Sequence, residues 1–292
     1  HTNEQTSRTL EYAYDDYAVA QMAKALHDSC QDAILRQKYL EDYNDLMRRS
    51  ENWRNVINPA TGWADGRYEN GKWENNEDLV HRKSYITEGA TCHYTWYVPQ
   101  NPEGLFEVIR NSKPMDKQEK QIEKAERKME KKGETPVRNE KVIARLDKMF
   151  DNGWYWHGNE PCHQVAYLYD AAGAPEKTQE RVHHILQTEY NDTPGGLSGN
   201  DDAGQMSAWY VFSSIGFYPV CPGTPYYYIG TPSFDKVTLN LENGRKFILS
   251  ADRQHMDDYL IQSVTLNGKP LADYRLSHQQ ILSGGELHFQ MK

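Results

Sequence analysis

The chain has 292 residues, enough for one large domain or for a domain with a small appendage. Its formal net charge of -9 argues against a nucleic-acid partner, because binding to phosphates requires a basic surface. No run of 18 apolar residues predicts a membrane span, and no signal peptide is visible. The four cysteines form no Cys-x-x-Cys pair, which disfavours zinc; we expect free buried thiols, although their spacing leaves disulfides open.

Apolar residues with helical spacing predict two helices at the start of the chain, over residues 9–26 and 30–49. Tyr14, Ala18 and Met22 are expected on the buried face of the first helix. The short break between the helices predicts an antiparallel pair. Further helices are predicted over residues 142–150, 163–171 and 175–190, and from about residue 204 onwards.

Residues 115–132 form a charged stretch. Asp116 with Lys120, and Glu123 with Arg127, are spaced to form ion pairs one helical turn apart. The stretch therefore predicts a solvated surface helix without a chemical role.

From about residue 223 the apolar residues alternate with period two, which predicts strands. Two Asn-Gly pairs, at residues 243–244 and 267–268, are typical of hairpin turns. The sequence thus predicts a mainly α chain with a C-terminal β domain: a helical region at 1–222 and a small antiparallel sheet domain at 223–292. The strands are expected at residues 236–241, 246–251, 259–266 and 286–291.

A polar loop precedes the helix that begins near residue 204. It contains two adjacent carboxylates, Asp201 and Asp202, and an aromatic run that includes Trp209 follows. A carboxylate held by a buried helix is a candidate general base. Alternatively, Asn200, Asp201 or Asp202 caps the helix.

Two earlier stretches add polar groups among aromatic ones. Glu88 precedes an aromatic run; apolar surroundings would raise the pKa of its carboxyl, as a general acid requires, or the carboxylate begins a helix. Arg54, beside Trp53 at the start of a long loop, is a candidate for holding a sugar hydroxyl or for a structural salt bridge.

Oxygen and nitrogen donors cluster at residues 157–164. Asn159 and Glu160 are the oxygen ligands that Ca2+ prefers, and the alternative is an ordinary loop with satisfied polar groups. Glu88, Glu160 and Asp202 therefore lie on three loops between helices, which a ring of helical hairpins would bring to one end. Inverting glycoside hydrolysis requires one protonated acid and one ionised base, separated by a water molecule.

Five stretches carry a resemblance to a known family: LEYAYDDYAVAQMA (10–23), WRN (53–55), TEGATCHYTWYVPQ (87–100), HGNEPCHQVAYLYDAAG (157–173) and GLSGNDDAGQMSAWYVFSSIGFYPVCPGTPYYYIGTP (196–232). Apart from the charged stretch, nearly the whole chain resembles the C-terminal part of glycoside hydrolase family 92, the calcium-dependent exo-α-mannosidases. The resemblance implies part of an (α/α)6 toroid followed by a β domain, and inverting hydrolysis of terminal α-mannosides on glycans such as N-glycans.

The resemblance also implies roles for individual residues. Glu88 matches the general acid and Asp202 the general base, while Asn200 stands where some members have a second Asp and is assigned to the catalytic group. His157 matches a substrate-contacting His, and Gly158 replaces the Glu of α-1,2-specific members, so that another linkage is expected. Trp53, Arg54 and Asp201 are assigned to the substrate, and Asn159 and Glu160 to Ca2+.

Family members are longer, with a β-sandwich and the first half of the toroid before the motif at residues 10–23. The resemblance therefore predicts a mannose-containing glycan as substrate, and those missing segments as a partner chain or segment. It also implies a periplasmic or secreted protein. The alternative function is a non-catalytic fragment, or a mannose-binding or scaffold chain that needs the missing half.

Overall fold

The computed structural model describes residues 3–136, 138–271 and 273–292. The chain divides into two compact units: unit 1 is His1–Trp156 with Cys221–Thr224, and unit 2 is His157–Val220 with Pro225–Lys292. The predicted domain boundary after residue 222 stays a prediction, because compact units need not be independently folding domains.

Unit 1 is mainly helical. Its longest helix begins near the start of the chain. The second helix begins at the N-cap residue Asp32, whose carboxylate accepts hydrogen bonds from the backbone N–H groups of Ile34 and Leu35. Its elements are α1 (Gln5–Ser29), α2 (Ala33–Arg49), β1 (Ile57–Asn58), β2 (Trp63–Ala64), α3 (Thr91–Tyr94), α4 (Pro102–Asn111), α5 (Lys117–Glu130) and α6 (Glu140–Asp151).

Helices α1 and α2 form the predicted antiparallel pair, since Asp16 binds Arg49 at 2.7 Å while the His27 ring contacts the carbonyl of Arg36. The predicted buried face of α1 is partly wrong. Leu10 is buried, but Met22 is 63% exposed and α2 contains no buried residue. Both helices thus keep apolar side chains in solvent.

Helix α5 is anchored by buried ion pairs, which the charged stretch did not predict. Both oxygens of Glu119 receive hydrogen bonds of 3.1 Å from Arg145, and neither side chain is exposed. Arg145 also donates to the carbonyl of Thr61 and the hydroxyl of Ser112, so that one guanidinium joins four segments of the unit. Such a bidentate pair is stable when buried only because its remaining donors are also bonded.

Unit 2 contains short helices and most of the strands. A predicted helix over residues 163–171 is instead a 3-10 turn at Val165–Tyr167 followed by α7. The elements are α7 (Leu168–Ala171), α8 (Pro175–Thr188), α9 (Gln205–Ile215), β3 (Phe217–Tyr218), β4 (Tyr226–Ile229), β5 (Lys236–Asn240), β6 (Lys246–Asp252), β7 (Ile261–Leu266), β8 (Lys269–Pro270), β9 (Arg275–Ser277), α10 (His278–Leu282) and β10 (Gly285–Met291).

The five-stranded sheet of unit 2 has the order β5-β6-β10-β7-β8. The predicted strands are present, but the sheet is mixed rather than purely antiparallel, because β10 pairs parallel with β6 and antiparallel with β7. Because β6 and β7 run antiparallel to one another, a strand inserted between them must be parallel to one of the two. Alternate residues face a shared apolar core that includes Phe247, Leu249, Leu287 and Phe289.

The free thiols expected from the sequence are present, and three of the four are buried as expected. All four cysteines are free in this structure; Cys92, Cys162 and Cys221 are buried and Cys30 is partly exposed. Among the residues that the structure describes, no helix has the length and apolar character needed to cross a membrane.

The buried pair yields a stability prediction. We expect Arg145→Met to lower the free energy of unfolding by about 3 kcal/mol, because the Glu119 carboxylate would lose its bidentate partner in the interior. The exposed Arg48, paired with Asp45 on α2, is the matched control, and Arg48→Met should change stability by less than about 1 kcal/mol. Urea unfolding measures both; equal losses would contradict the structural role of Arg145.

Candidate active site

The loop that carries the candidate base has a strained backbone. Asp202, Ala203 and Gly204 have φ values of 36°, 58° and 92°, three successive residues in the left-handed region. Only the glycine adopts that region freely, and each of the other two costs on the order of 1–3 kcal/mol. The loop is therefore held in place by its surroundings.

Asp201 and Asp202 have separate environments. The Asp201 carboxylate accepts the backbone N–H of Ser207 at 2.9 Å and the Ser207 hydroxyl at 3.0 Å, while the Asp201 carbonyl accepts the N–H of Gln205. Asp201 thus satisfies the N–H of the third residue of α9, although the N-cap position itself is Gly204 and makes no side-chain cap, so the capping alternative holds only in part. Asp202 and Asn200 are exposed. The side-chain hydrogen bonds of this loop to α9 are made by Asp201, and the Asp202 carboxylate stays open to solvent.

A close backbone contact joins this loop to the segment of Asn159 and Glu160. A Cβ at Gly199 would lie 2.3 Å from the carbonyl oxygen of Gly158, far inside van der Waals contact. Only glycine permits this approach. The contact places the start of the 199–204 loop against the residue that directly precedes Asn159.

His157 is buried and has one defined tautomer. Its Nε2 lies 2.6 Å from the hydroxyl of Tyr190, which donates its single proton to the carbonyl of Met206 at 3.0 Å. The hydroxyl must therefore accept, and Nε2 of His157 carries the hydrogen. Burial, and secondarily His163, lowers the pKa of His157 to about 3, so that the ring is neutral at ordinary pH.

His163 continues the same network. Its Nε2 donates to the carbonyl of His157 at 2.9 Å, so that Nδ1 accepts from the amide of Gln205 at 3.3 Å. The indole N–H of Trp209 donates to the carbonyl of His163. Burial lowers the pKa of His163 as well. Two neutral imidazoles thus connect the 157–163 segment to α9.

The predicted calcium ligands have suitable chemistry but an incomplete donor set. Asn159 is buried, and Glu160 begins a 3-10 turn, Glu160–Cys162. Their oxygens suit a hard cation, which takes six to eight oxygen ligands. Among the described residues there is no group of three or more His, Cys, Asp or Glu side chains that could hold a metal. Backbone, water or sugar oxygens would have to complete the shell.

In unit 1, Glu88 also has a left-handed backbone, with φ of 49°. Its side chain is exposed, so that the apolar surroundings expected for it are not present in this structure. The next residue, Gly89, packs closely on Tyr94, since an added Cβ would lie 3.1 Å from the ring. His93 accepts the N–H of Ala90 and bonds the carbonyl of Trp154, which fixes the segment that follows.

Two further candidate residues of unit 1 were not identified from the sequence. Glu11 accepts the hydroxyl proton of Tyr94 at 2.9 Å. Burial raises the pKa of Glu11, and the negative charges of Asp15, Glu4 and Glu88 add to this effect, against the hydrogen bond from Tyr94. Glu11 lies within the motif at residues 10–23, but the apolar spacing of that motif gives no indication of a buried carboxyl.

The exposed Trp156 is the second of these residues. It is 44% exposed and lies beside the His93 ring, with 6.3 Å between ring centroids. Its indole is therefore available to stack on a sugar ring.

Trp53 and Arg54 form a stacked pair. The Arg54 guanidinium lies 4.3 Å from the Trp53 ring centroid and its Nε binds Glu51 at 2.7 Å, which is the salt bridge of the alternative interpretation. Trp53 is fully buried, so its ring is better placed to hold the Arg54 guanidinium than to contact a substrate itself. The assignment of Trp53 and Arg54 to substrate binding stays a prediction.

The glycine contact can be tested directly. We expect Gly199→Ala to separate the 199–204 loop from the 157–160 segment and to lower the melting temperature by several degrees, because the new Cβ would overlap the Gly158 carbonyl. Gly195, whose added Cβ would meet nothing within 4 Å, is the matched control, and Gly195→Ala should be nearly neutral. Calorimetry decides; an unchanged melting temperature in Gly199→Ala would refute the tight contact.

Comparison with known proteins identifies the family. The model of the glycosyl hydrolase family 92 catalytic domain matches residues 1–292. The chain is 28% identical to an uncharacterized secreted glycosidase of Arthroderma benhamiae, over 99% of this chain and 36% of that protein.

Two solved structures from Bacteroides thetaiotaomicron are similar. A family GH92 α-mannosidase is 35% identical with a TM-score of 0.80, over 99% of this chain and 35% of that one. A family GH92 inverting mannosidase is 33% identical with a TM-score of 0.80, over 100% of this chain and 38% of that one. These similarities confirm the predicted fold class. The chain spans a little over a third of the length of these relatives, and it belongs to glycosyl hydrolase family 92.

Proposed function

We propose that this chain carries the acid and the base of an enzyme that hydrolyses terminal α-mannosides of glycans with inversion. Membership of glycosyl hydrolase family 92 supports glycoside hydrolysis. The names of the two similar solved proteins, an α-mannosidase and an inverting mannosidase, support mannose and inversion.

One observation carries the assignment of the two carboxylates. Among the residues that the structure describes, seven non-glycine residues have positive φ, and Glu88 and Asp202 are two of them. A third, Ala203, adjoins Asp202. Backbone strain of this kind concentrates at functional sites, where the fold holds a side chain in one orientation. Both side chains are also exposed, as contact with a substrate requires.

In the proposed reaction, Glu88 donates its proton to the glycosidic oxygen while the bond from that oxygen to the anomeric carbon breaks. Asp202 accepts a proton from a water molecule, whose oxygen attacks the anomeric carbon from the opposite face. The products are the shortened glycan and β-mannose. Asn200, two residues before Asp202, is proposed to orient the water molecule through its side-chain amide.

The other polar residues are proposed to hold the sugar. Arg54 would donate to a hydroxyl from a guanidinium fixed by Glu51 and the Trp53 ring. Buried, neutral His157 would act by keeping the adjacent backbone in place, through the hydrogen bond that its Nε2 donates to the Tyr190 hydroxyl. Asp201 would contribute through the cap that fixes the loop.

Ca2+ is the proposed cofactor. Asn159 and Glu160 would hold the ion, whose charge coordinates neighbouring sugar hydroxyls when it is bound. The close contact between Gly158 and Gly199 supports this choice, because it joins the Asn159 segment to the loop of the proposed base. With no side chain at Gly158, we propose a linkage other than α-1,2.

We also propose that further polypeptide, as a separate segment or chain, covers α1 and α2. Tyr12, Val19 and Met22 on α1, and Ile34 on α2, are between 54% and 82% exposed. Apolar side chains grouped in this way usually mark an interface. The relatives are also much longer than this chain. A periplasmic or secreted location is proposed from the secreted relative.

The acid role predicts a leaving-group effect. We expect Glu88→Gln to abolish hydrolysis of an alkyl α-mannoside, at least about a thousandfold, but to retain much of the rate on an activated aryl mannoside, which needs no protonation. Glu103→Gln, which alters an exposed carboxylate in the first turn of α4, is the control. Rates are compared for this chain alone and with the segments that complete it.

Equal losses of Glu88→Gln on both substrates would contradict the acid role. Turnover by the 292-residue chain alone would exclude the alternative of a mannose-binding or scaffold chain. Asp202→Asn should slow both substrates, because water activation is common to both.

The calcium proposal predicts that chelation removes activity and lowers the melting temperature, and that added Ca2+ restores both. Glu160→Gln should raise the Ca2+ concentration needed for half of the thermal shift by at least about tenfold, because it removes a ligand charge. Glu189→Gln, on the segment after α8, is the control. An unaltered melting temperature and full turnover after exhaustive chelation would rule out the ion.

A further inference from the structure

The outward face of α5, together with Lys131 directly after its end, carries five cations in one row. Lys120, Lys124, Arg127, Lys128 and Lys131 follow the i, i+4, i+7, i+8, i+11 spacing that places side chains on one face of a helix. All five are exposed, and with Glu123 they line a shallow depression of about 320 Å3. We call these five residues the basic stripe.

The acids expected to neutralise this row point elsewhere. Asp116 binds Lys148 at 2.7 Å rather than Lys120, and Glu123 binds Lys141 at 2.8 Å rather than Arg127. The ion pairs predicted within the charged stretch are therefore wrong. Acids of this stretch face the cations of α6 instead, because those cations are more buried and gain more from a partner.

The basic stripe is left without salt-bridge partners. Within the described parts of the chain, no carboxylate lies within 4 Å of its five cations. Five cations without a salt-bridge partner within about three turns favour a local positive potential on a protein whose net charge is -9. Like charges one turn apart also destabilise a helix. An anion along the row would relieve that repulsion.

We propose that the basic stripe binds a linear acidic polysaccharide. From residue 120 to residue 131 the helix rises about 16 Å, roughly the length of three sugars in an extended chain. Each helical turn presents one or two cations about every 5 Å, a spacing that matches one carboxylate per sugar. The basic stripe contains none of the proposed catalytic residues, and this proposal does not rest on the proposed function.

The chemistry of the row disfavours two other polyanions. Helices that bind an anionic membrane bear large exposed apolar residues beside their cations, whereas Ile122 and Met129 of α5 are partly buried. Single-stranded nucleic acid binds by stacking bases on aromatic rings, and none of the five positions is aromatic. A thin, carboxylated chain needs only the cations.

The experiment titrates the 292-residue chain with an oligogalacturonate of ten sugars at low salt, by calorimetry. The test variant is Lys124→Glu with Lys128→Glu. The control is Lys236→Glu with Lys246→Glu, an equal charge change at exposed positions on β5 and β6. Circular dichroism checks that each variant is folded; glutamate and lysine have similar helix propensities.

We expect saturable binding by the unmodified chain, weakened at least about tenfold in the stripe variant and within about twofold in the control. The slope of log affinity against log salt concentration should become shallower in the stripe variant, by about two released counterions. Lys124→Arg with Lys128→Arg should retain binding. The proposal is overturned by no saturable binding at low salt, by equal losses in both glutamate variants, or by binding to phosphatidylserine vesicles or oligothymidylate without binding to oligogalacturonate.

Discussion

The approach of Gly199 to the carbonyl of Gly158 is the contact on which the candidate site of unit 2 depends. The two loops can come this close only because position 199 has no side chain. The contact joins the loop of Asp202 to the segment of Asn159 and Glu160 without using any functional side chain. The groups that would bind a sugar or an ion therefore stay available, while the backbone supplies the fixed geometry.

Neutral, hydrogen-bonded histidines then make this arrangement rigid. His157 and His163 are buried, and burial lowers the pKa of both rings, which favours their neutral forms. Each ring nitrogen of His163 has a partner, on the 157–163 segment and on α9 respectively. This support offsets the cost of the left-handed residues Asp202 and Ala203, because the helix that follows them is anchored independently through Trp209.

Much of the fold could be predicted from the sequence because it depends on local signals. The period-two runs and the Asn-Gly turns predicted the long strands of unit 2, and helical spacing predicted the pair α1 and α2. The parallel pairing of β10 with β6 was not predictable, since strand order is decided by non-local packing. The buried face of α1 was missed at Met22 for a similar reason: apolar spacing identifies a face but not whether another segment covers it.

Charged residues showed the clearest limit of pattern analysis. The spacing of Glu123 and Arg127 predicted a surface ion pair, yet Glu123 binds Lys141 on another helix, and Glu119 is wholly buried against Arg145. Spacing along one helix contains no information about cations on its neighbour. In the candidate site, the resemblance drew attention to Glu88 and Asp202, whereas Glu11 became visible only through its hydrogen bond and burial.

The central claim is that Glu88 and Asp202 work as a separated acid and base on one sugar. A crystal structure of the active protein with a bound, uncleaved α-mannoside analogue tests it most directly. The account predicts the two carboxyl groups on opposite faces of the sugar ring, about 6.5–9.5 Å apart, with a water molecule beside Asp202. Carboxyl groups about 5 Å apart, or an anomeric carbon that neither group approaches, would contradict it.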